Sequence, residues 1–159
     1  MRKSLILVAG VVATPASAGT LTITIPRLSV AEYHKPYVAA WIEPAAGGPA
    51  RTLAVWYDVK KKGNEPGTKW LADLRTWWRK GGRSLNLAAD GVSGATRAPG
   101  AYRIPLPADL RPGAYVVHVE AARESGGREL VSVPLSVPVR DASATGRSEL
   151  GAVSITFGR

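Results

Sequence analysis

The sequence predicts an all-β protein, an immunoglobulin-like antiparallel β-sandwich with one short amphipathic helix. Three observations support this fold class. Short stretches of alternating apolar and polar residues recur along the chain, its 159 residues include 17 glycines and 12 prolines without a triplet period, and one segment has helical spacing. Many short strands joined by turns rich in glycine and proline are typical of a β-sandwich.

The first residues have the pattern of a secretory signal peptide. Two basic residues precede an apolar run over residues 5–12, and the small residues Ala16-Ser17-Ala18 form a cleavage site. The run is too short to cross a bilayer, which takes roughly 20 apolar residues. We therefore expect residues 1–18 to be removed and residues 19–159 to form a single periplasmic domain that is not embedded in the membrane.

The strands are predicted from the alternation of apolar and polar residues, which turns one set of side chains toward a core. Prolines on the polar face of one strand, Pro134 and Pro138, mark it as an edge strand. The phrase Pro-Gly-Ala-Tyr occurs at 99–102 and at 112–115 and indicates two equivalent strand starts. One predicted hairpin pairs residues 37–43 with 52–59, and another pairs residues 114–123 with 128–137, the strand that contains Pro134. The remaining predicted strands are residues 20–25 and 153–157.

One segment, residues 70–79, has the spacing of an amphipathic helix, and the two glycines that follow are expected to end it. We expect the tryptophans of its apolar stripe to pack with Trp41 and Trp56 of the first hairpin in a core between helix and sheet. Neighbouring helical residues lie about 100° apart, so Trp77 or Trp78 is expected at the margin of the stripe, free to stack on a ligand ring. The stripe consists of Trp70, Leu71, Leu74, Trp77 and Trp78.

Charge and composition exclude several classes of function. The chain has 21 Lys and Arg against 12 Asp and Glu, a net charge of +9, which favours anionic partners, while export argues against nucleic acid. The absence of cysteine excludes disulfides, thiolate metal sites and cysteine nucleophiles. Two separated histidines do not predict a metal site, and no nucleophile–base or acidic pair is recognisable. We therefore predict a protein that is not an enzyme, with no metal site and no catalytic residues.

A loop of small residues is predicted at 90–96, with the sequence Asp-Gly-Val-Ser-Gly-Ala-Thr. Its aspartate and serine are able to hydrogen-bond to nearby backbone groups, and its glycines relax the backbone restrictions. Because Gly94 and Ala95 add little bulk, the hydroxyl of Thr96 is expected to be open to another enzyme. An ordinary tight turn whose polar side chains cap the backbone is the alternative interpretation.

The same segment resembles the D-x-x-S/T-G-A-T/S motif of periplasmic and membrane-bound electron carriers, such as the flavin subunits of sodium-pumping quinone reductases and the related Rnf complexes. In those proteins an FMN transferase cleaves FAD and joins FMN through its phosphate to the last threonine or serine. The resemblance implies covalent FMN on Thr96 and an FMN transferase as partner. The matching positions are Asp90, Ser93, Gly94, Ala95 and Thr96.

A second resemblance extends over most of the chain. It is to the predicted periplasmic proteins of domain of unknown function 2271, a family similar in its C-terminal half to the Ig-like domain of flagellar hook-capping proteins. That family tends to occur alongside FMN transferases and PepSY-type membrane reductases, which implies a role in extracytoplasmic redox traffic. Within residues 101–113 this sequence lacks the longer turn, rich in aspartate and glycine, that hook-capping relatives have. This difference weakens the analogy with flagellar assembly. The stretches that carry the resemblance are 33–43, 51–56, 69–79, 94–97 and 120–124.

The resemblances imply an electron carrier that exchanges electrons with a PepSY-type membrane reductase or a similar partner. Cations near the motif are expected to pair with the flavin phosphate and to stabilise the reduced flavin. A solvated cationic face is the alternative interpretation of these arginines. The candidates are Arg97, Arg103 and, if the helix packs beside the motif, Arg75, Arg79 and Arg83, with Trp77 or Trp78 against the flavin ring.

The alternative function is a periplasmic binding or assembly module without a cofactor. In that case the cationic Ig-like surface would dock another periplasmic protein or an anionic polymer of the cell envelope.

Overall fold

The computed structural model describes residues 19–60 and 65–158, and the predicted signal peptide at residues 1–18 lies outside them. Within the described residues, nine strands form the two sheets of a β-sandwich, which confirms the predicted fold class. The strands are β1 (Gly19–Ile25), β2 (Tyr37–Pro44), β3 (Arg51–Tyr57), β4 (Ser93–Ala95), β5 (Gly100–Pro105), β6 (Gly113–Ala122), β7 (Arg128–Val137), β8 (Ala142–Thr145) and β9 (Ala152–Phe157).

One sheet has four strands in the order β5-β1-β9-β8, and the other has five in the order β4-β3-β2-β6-β7. Every pairing is antiparallel except that of β3 with β4. Both predicted hairpins are confirmed, and β7 is an edge strand, as its prolines indicate. The repeated Pro-Gly-Ala-Tyr phrase begins β5 and β6, where Gly100 and Gly113 have φ of 154° and 147°, values that favour glycine.

The main core lies between the two sheets. Leu21 and Ile23 of β1 and Ile155 of β9 are fully buried, and they pack in one cluster with Val117 and Val119 of β6. The alternation in β1 is therefore the one that its sequence predicts, with apolar residues inward and threonines outward. Burial of these faces is the main term that holds the sheets together.

The helical segment differs from the prediction of one amphipathic helix. A 3-10 helix, Gly67–Asp73, is followed by the five-residue helix α1 (Arg75–Arg79), and Leu74 between them is not helical, with φ of −76° and ψ of 71°. A 3-10 helix has three residues per turn. The large buried side chains of the segment lie three apart, at Leu71, Leu74 and Trp77. A further short 3-10 helix, Gly82–Ser84, begins at the second of the two glycines.

A smaller second core lies under these helices, on the outer face of the five-stranded sheet. Trp41 and Trp77 are buried there, as predicted. Two other tryptophans correct the prediction. Trp70 is 37% exposed, because the three-residue period turns it away from the buried row, and Trp56 packs between the sheets, because alternation in β3 points its neighbour Val55 at the helices instead.

Candidate functional site

The small-residue segment contributes the edge strand β4, where the sequence predicts only a loop. β4 runs parallel to β3, with Ser93 beside Val55. The backbone N–H of Val55 donates to the carbonyl of Val92 at 2.8 Å, and the N–H of Thr96 donates to the carbonyl of Tyr57 at 3.2 Å. The free edge of β3 therefore holds the motif in an extended conformation up to Thr96.

Thr96 follows β4 directly and lines a cleft of about 940 Å³. Residues at the ends of β3, β4 and β6 and at the starts of β2 and β7 line the cleft, together with the 3-10 helix Gly67–Asp73. Thr96 is partly exposed, and no group of the described residues is hydrogen-bonded to its hydroxyl. The fold itself therefore does not engage that hydroxyl.

The cleft carries more positive than negative side chains. Two of its arginines are engaged, since Arg123 donates to Glu149 at 2.9 and 3.1 Å and Arg128 donates to Glu120 at 2.6 Å. Arg75, by contrast, is exposed and has no ion pair within residues 19–60 and 65–158. The cations are Lys35, Lys60, Arg75, Arg123 and Arg128, and the carboxylates are Asp58, Asp73 and Glu124.

Four aromatic side chains line the same cleft, and they differ in what they contact. Tyr37 is buried, its hydroxyl donates to the carbonyl of Gly67 at 2.9 Å, and burial raises its pKa to about 12. Tyr57 packs edge-on against Tyr37. Tyr33 has a buried hydroxyl without a partner in the described part of the chain, and burial raises its pKa. Trp70 presents its indole to the cleft, with the Nζ of Lys69 at 5.7 Å from the ring centroid.

The comparisons with known proteins agree with the periplasmic resemblance. The model of a family described as predicted periplasmic proteins, DUF2271, matches residues 18–152. The chain belongs to the DUF2271 family. Its compartment is therefore the periplasm, as predicted. No curated protein and no solved structure matches the chain.

Two absences hold for the described residues of this DUF2271 protein. None of the helices within 19–60 and 65–158 has the length and apolar character needed to cross a bilayer. In the same ranges, no three His, Asp or Glu side chains are grouped so that they would hold a metal ion.

The structure places some predicted site residues of the DUF2271 chain in two different clefts and the others outside both. Ala95 and Thr96 lie in the large cleft. Asp90 and the buried Trp77 line a second cleft of about 550 Å³, where the indole N–H of Trp77 donates to Thr52 Oγ1 at 3.0 Å. The segment 90–96, which contains the motif strand β4, thus runs from one cleft to the other.

The remaining predicted residues lie outside the large cleft. The hydroxyl of Ser93 donates to the carbonyl of Leu87 at 2.9 Å, which braces the start of β4. Trp78, which is half-buried, and Arg79, which is exposed, line neither of the two clefts. Arg103 lies on β5 and Arg83 in the short helix after α1, and neither lines the large cleft.

Arg97 has a different position from the one its place beside Thr96 suggests. Its guanidinium lies 5.4 Å from the ring centroid of Trp56 and 5.6 Å from that of Tyr102, over the aromatic edge of the sandwich. Gly94 lies beneath it, since a Cβ built on Gly94 would be 3.5 Å from Trp56 and 3.6 Å from Arg97. The arginine therefore covers the inner side of β4 rather than the large cleft.

The cleft residues that sequence reasoning missed include Trp70, Tyr33 and Arg123. Helical periodicity places Trp70 in a core, because it assumes a period of 3.6 and not three. Tyr33 and Arg123 are far from the motif in sequence and only the sheet pairing brings them near it. No local signal marks either of them.

Proposed function

We propose that this protein is a periplasmic electron-transfer protein that carries FMN linked through its phosphate to Thr96 and exchanges electrons with a membrane reductase of the PepSY type. FMN would supply reversible uptake of one or two electrons. The observation that carries the proposal is the position of Thr96, which ends the motif strand at the wall of a large cleft with its hydroxyl unpartnered in the described part of the chain.

The residues of the cleft fit such a group. A volume of about 940 Å³ is at the upper end of the range of roughly 300–1,000 Å³ that is usual for small-molecule sites. Arg75 has no competing carboxylate partner in the described residues, so it is able to pair with an anionic group. Tyr33, which also lines the cleft, has a hydroxyl without a hydrogen-bond partner in the described residues.

Attachment would be a phosphoryl transfer carried out by an FMN transferase. The Thr96 oxygen attacks the phosphorus on the FMN side of FAD, a new O–P bond forms, the bond to AMP breaks, and the hydroxyl proton passes to a base. Thr96 lies in a segment with no histidine and one carboxylate, Asp90, which is on the other cleft. The motif itself thus offers no general base, and in the proposed reaction the transferase supplies the base and the metal.

The edge of β4 supports access by such an enzyme. β4 is the outermost strand of its sheet, so within the described residues its outer edge pairs with no other strand. A second protein is then able to approach that edge closely. At Gly94 a Cβ would make only ordinary contacts, and Gly94 is not among the glycines with positive φ, so the fold does not require glycine at this position.

The test is co-expression with an FMN transferase, followed by intact-mass analysis. Wild type should gain the mass of one FMN less one water and keep its yellow colour after denaturation, and Thr96→Ala should lose both. Thr145→Ala, on exposed strand β8 of the other sheet, is the matched control and should be modified like wild type. Full flavin content in Thr96→Ala, or unmodified mass in protein taken from its native periplasm, would refute the proposal.

A further inference from the structure

We propose that Trp70 is the surface on which the isoalloxazine ring of the attached FMN stacks. This inference rests on the proposed function and assigns the ring-binding side of the cleft to a residue that helical periodicity places in a core. Trp70 and Thr96 line the same cleft, one on the 3-10 helix and one at the end of the motif strand.

Exposure singles out Trp70 among the aromatic residues of the cleft. Tyr37 is buried and its hydroxyl is bonded to Gly67, and Tyr57 packs its ring against Tyr37 at a centroid distance of 6.3 Å. Trp70 is 37% exposed, and the Nζ of Lys69 lies 5.7 Å from its ring centroid. An indole left open at the wall of a cleft of this size offers a flat apolar face to a planar ligand.

The short helix that carries Trp70 is held firmly. Leu71, the next residue, is 2% exposed in the core under the helix. At the start of the helix, Gly67 lies so close to the end of β3 that a Cβ on it would clash with the carbonyl oxygen of Asp58. The hydroxyl of Tyr37 fixes the same point by donating to the Gly67 carbonyl. A residue presented by such an anchored turn has little freedom to lose when a ring packs on it.

The cation beside Trp70 has a carboxylate partner of its own. The Nζ of Lys69 is 2.5 Å from Oε2 of Glu65, which lies four residues earlier and before the start of the helix. That pair is exposed, so it is weakly held and does not occupy the indole face permanently. A flavin ring, which is larger and flat, would bury more apolar area there than the ammonium group does.

Flavin fluorescence tests this contact directly. An indole in van der Waals contact with an excited flavin quenches its emission by donating an electron, whereas a phenyl ring is much harder to oxidise and does not. With Trp70 stacked on the ring, the flavinylated wild type should fluoresce weakly per bound flavin. Trp70→Phe keeps an aromatic ring at the site and should raise this fluorescence several-fold, with the covalent flavin content unchanged.

Trp78→Phe is the matched control, because Trp78 is half-buried and does not line the cleft. It should leave the fluorescence per flavin at the wild-type level. Flavin content is measured by mass and by absorbance of the denatured protein in all three samples. A wild type without flavin overturns the proposed function and this inference together. Flavin on Thr96 with equal fluorescence in wild type and Trp70→Phe overturns the assignment of Trp70 alone.

Discussion

The carboxylate of Glu120 accepts a hydrogen bond from the backbone N–H of Trp77 at 2.9 Å. Glu120 lies on β6 and is fully buried, and it also accepts from the N–H of Thr76 at 3.1 Å and from the guanidinium of Arg128 at 2.6 Å. Helix α1 has no side-chain cap of its own. A buried strand carboxylate therefore holds the first N–H groups of α1 and fixes the helix to the sheet.

Glu120→Ala should lower the free energy of unfolding by about 3–5 kcal/mol, because it leaves buried N–H groups and one end of an ion pair without a partner. Glu120→Gln keeps an acceptor and should cost about 1–3 kcal/mol. Urea denaturation measures both values. The control is Glu65→Gln, whose exposed pair with Lys69 should contribute less than about 1 kcal/mol. Equal losses for Glu120→Ala and Glu65→Gln would contradict this role of Glu120.

Two glycines of the motif segment should respond differently to alanine. Gly91 has φ of 65°, so Gly91→Ala should lower the free energy of unfolding by about 1–2 kcal/mol. Gly94→Ala should fold with wild-type stability, since its Cβ makes only ordinary contacts. If an FMN transferase recognises the motif along the unpaired edge of β4, Gly94→Ala should still slow modification of Thr96. Thermal unfolding and the rate of mass gain separate the effects, and wild-type modification of Gly94→Ala would argue against close approach at this edge.

The stability of the loop 146–150 should depend on pH through Glu129. Burial alone would raise the pKa of Glu129, but its carboxylate accepts hydrogen bonds from four backbone N–H groups, which together lower the pKa below its ordinary value of 4.5. A carboxyl with a lowered folded pKa contributes stability that is fully present above pH 4.5 and is lost as the pH falls toward the folded pKa. The four donors are the N–H groups of Arg147, Ser148, Glu149 and Leu150.

Glu129→Gln should therefore unfold more easily than wild type at neutral pH, and the difference should shrink as the pH falls below about 4.5. Chemical denaturation at a series of pH values measures this difference. Other carboxylates contribute to the acid sensitivity of the whole protein. The informative quantity is therefore the free energy of unfolding of wild type minus that of the variant at each pH. A difference that is constant with pH would show that Glu129 does not stabilise the loop as a carboxylate.

Arg75 should tune the redox potential of an attached flavin. A cation that is exposed in the cleft and has no ion pair in the described residues stabilises a reduced, anionic ring. Arg75→Gln should lower the potential by roughly 20 mV, which corresponds to about 1 kcal/mol for a two-electron couple. Equilibration with a dye of known potential measures the shift. Arg140→Gln, exposed in the turn after β7, is the control, and an equal shift in it would indicate a general charge effect.

Much of the fold is readable from local patterns. Alternation in β1, the turn between β2 and β3, and the prolines of β7 each describe a feature that neighbouring residues determine. The tryptophans are harder to assign, because burial depends on which helix type the segment adopts. The segment begins as a 3-10 helix, whose three-residue period turns Trp70 outward, while Trp77 of α1 stays buried.

The candidate site was accessible to sequence reasoning only in part. Thr96 is marked by the small residues before it, and its resemblance to a flavinylation motif is local. The cleft around it is not local, because Tyr33, Trp70 and Arg128 come from segments up to about 95 residues apart in the chain. Pairing between strands that are distant in the sequence brings these residues together, and no local periodicity predicts which strands pair.

The amino-acid sequence alone thus determined the β class, the hairpins and the place of the motif that ends at Thr96, since each of these depends on residues close together in the chain. Tertiary structure decided that the motif forms an edge strand. It also decided which tryptophan is exposed in the large cleft, and which arginine of that cleft lacks an ion pair in the described residues. These properties arise when β3 offers a free edge and two helical turns pack on one sheet. Burial and charge pairing are properties of the assembled surfaces, and they exist only after distant segments meet.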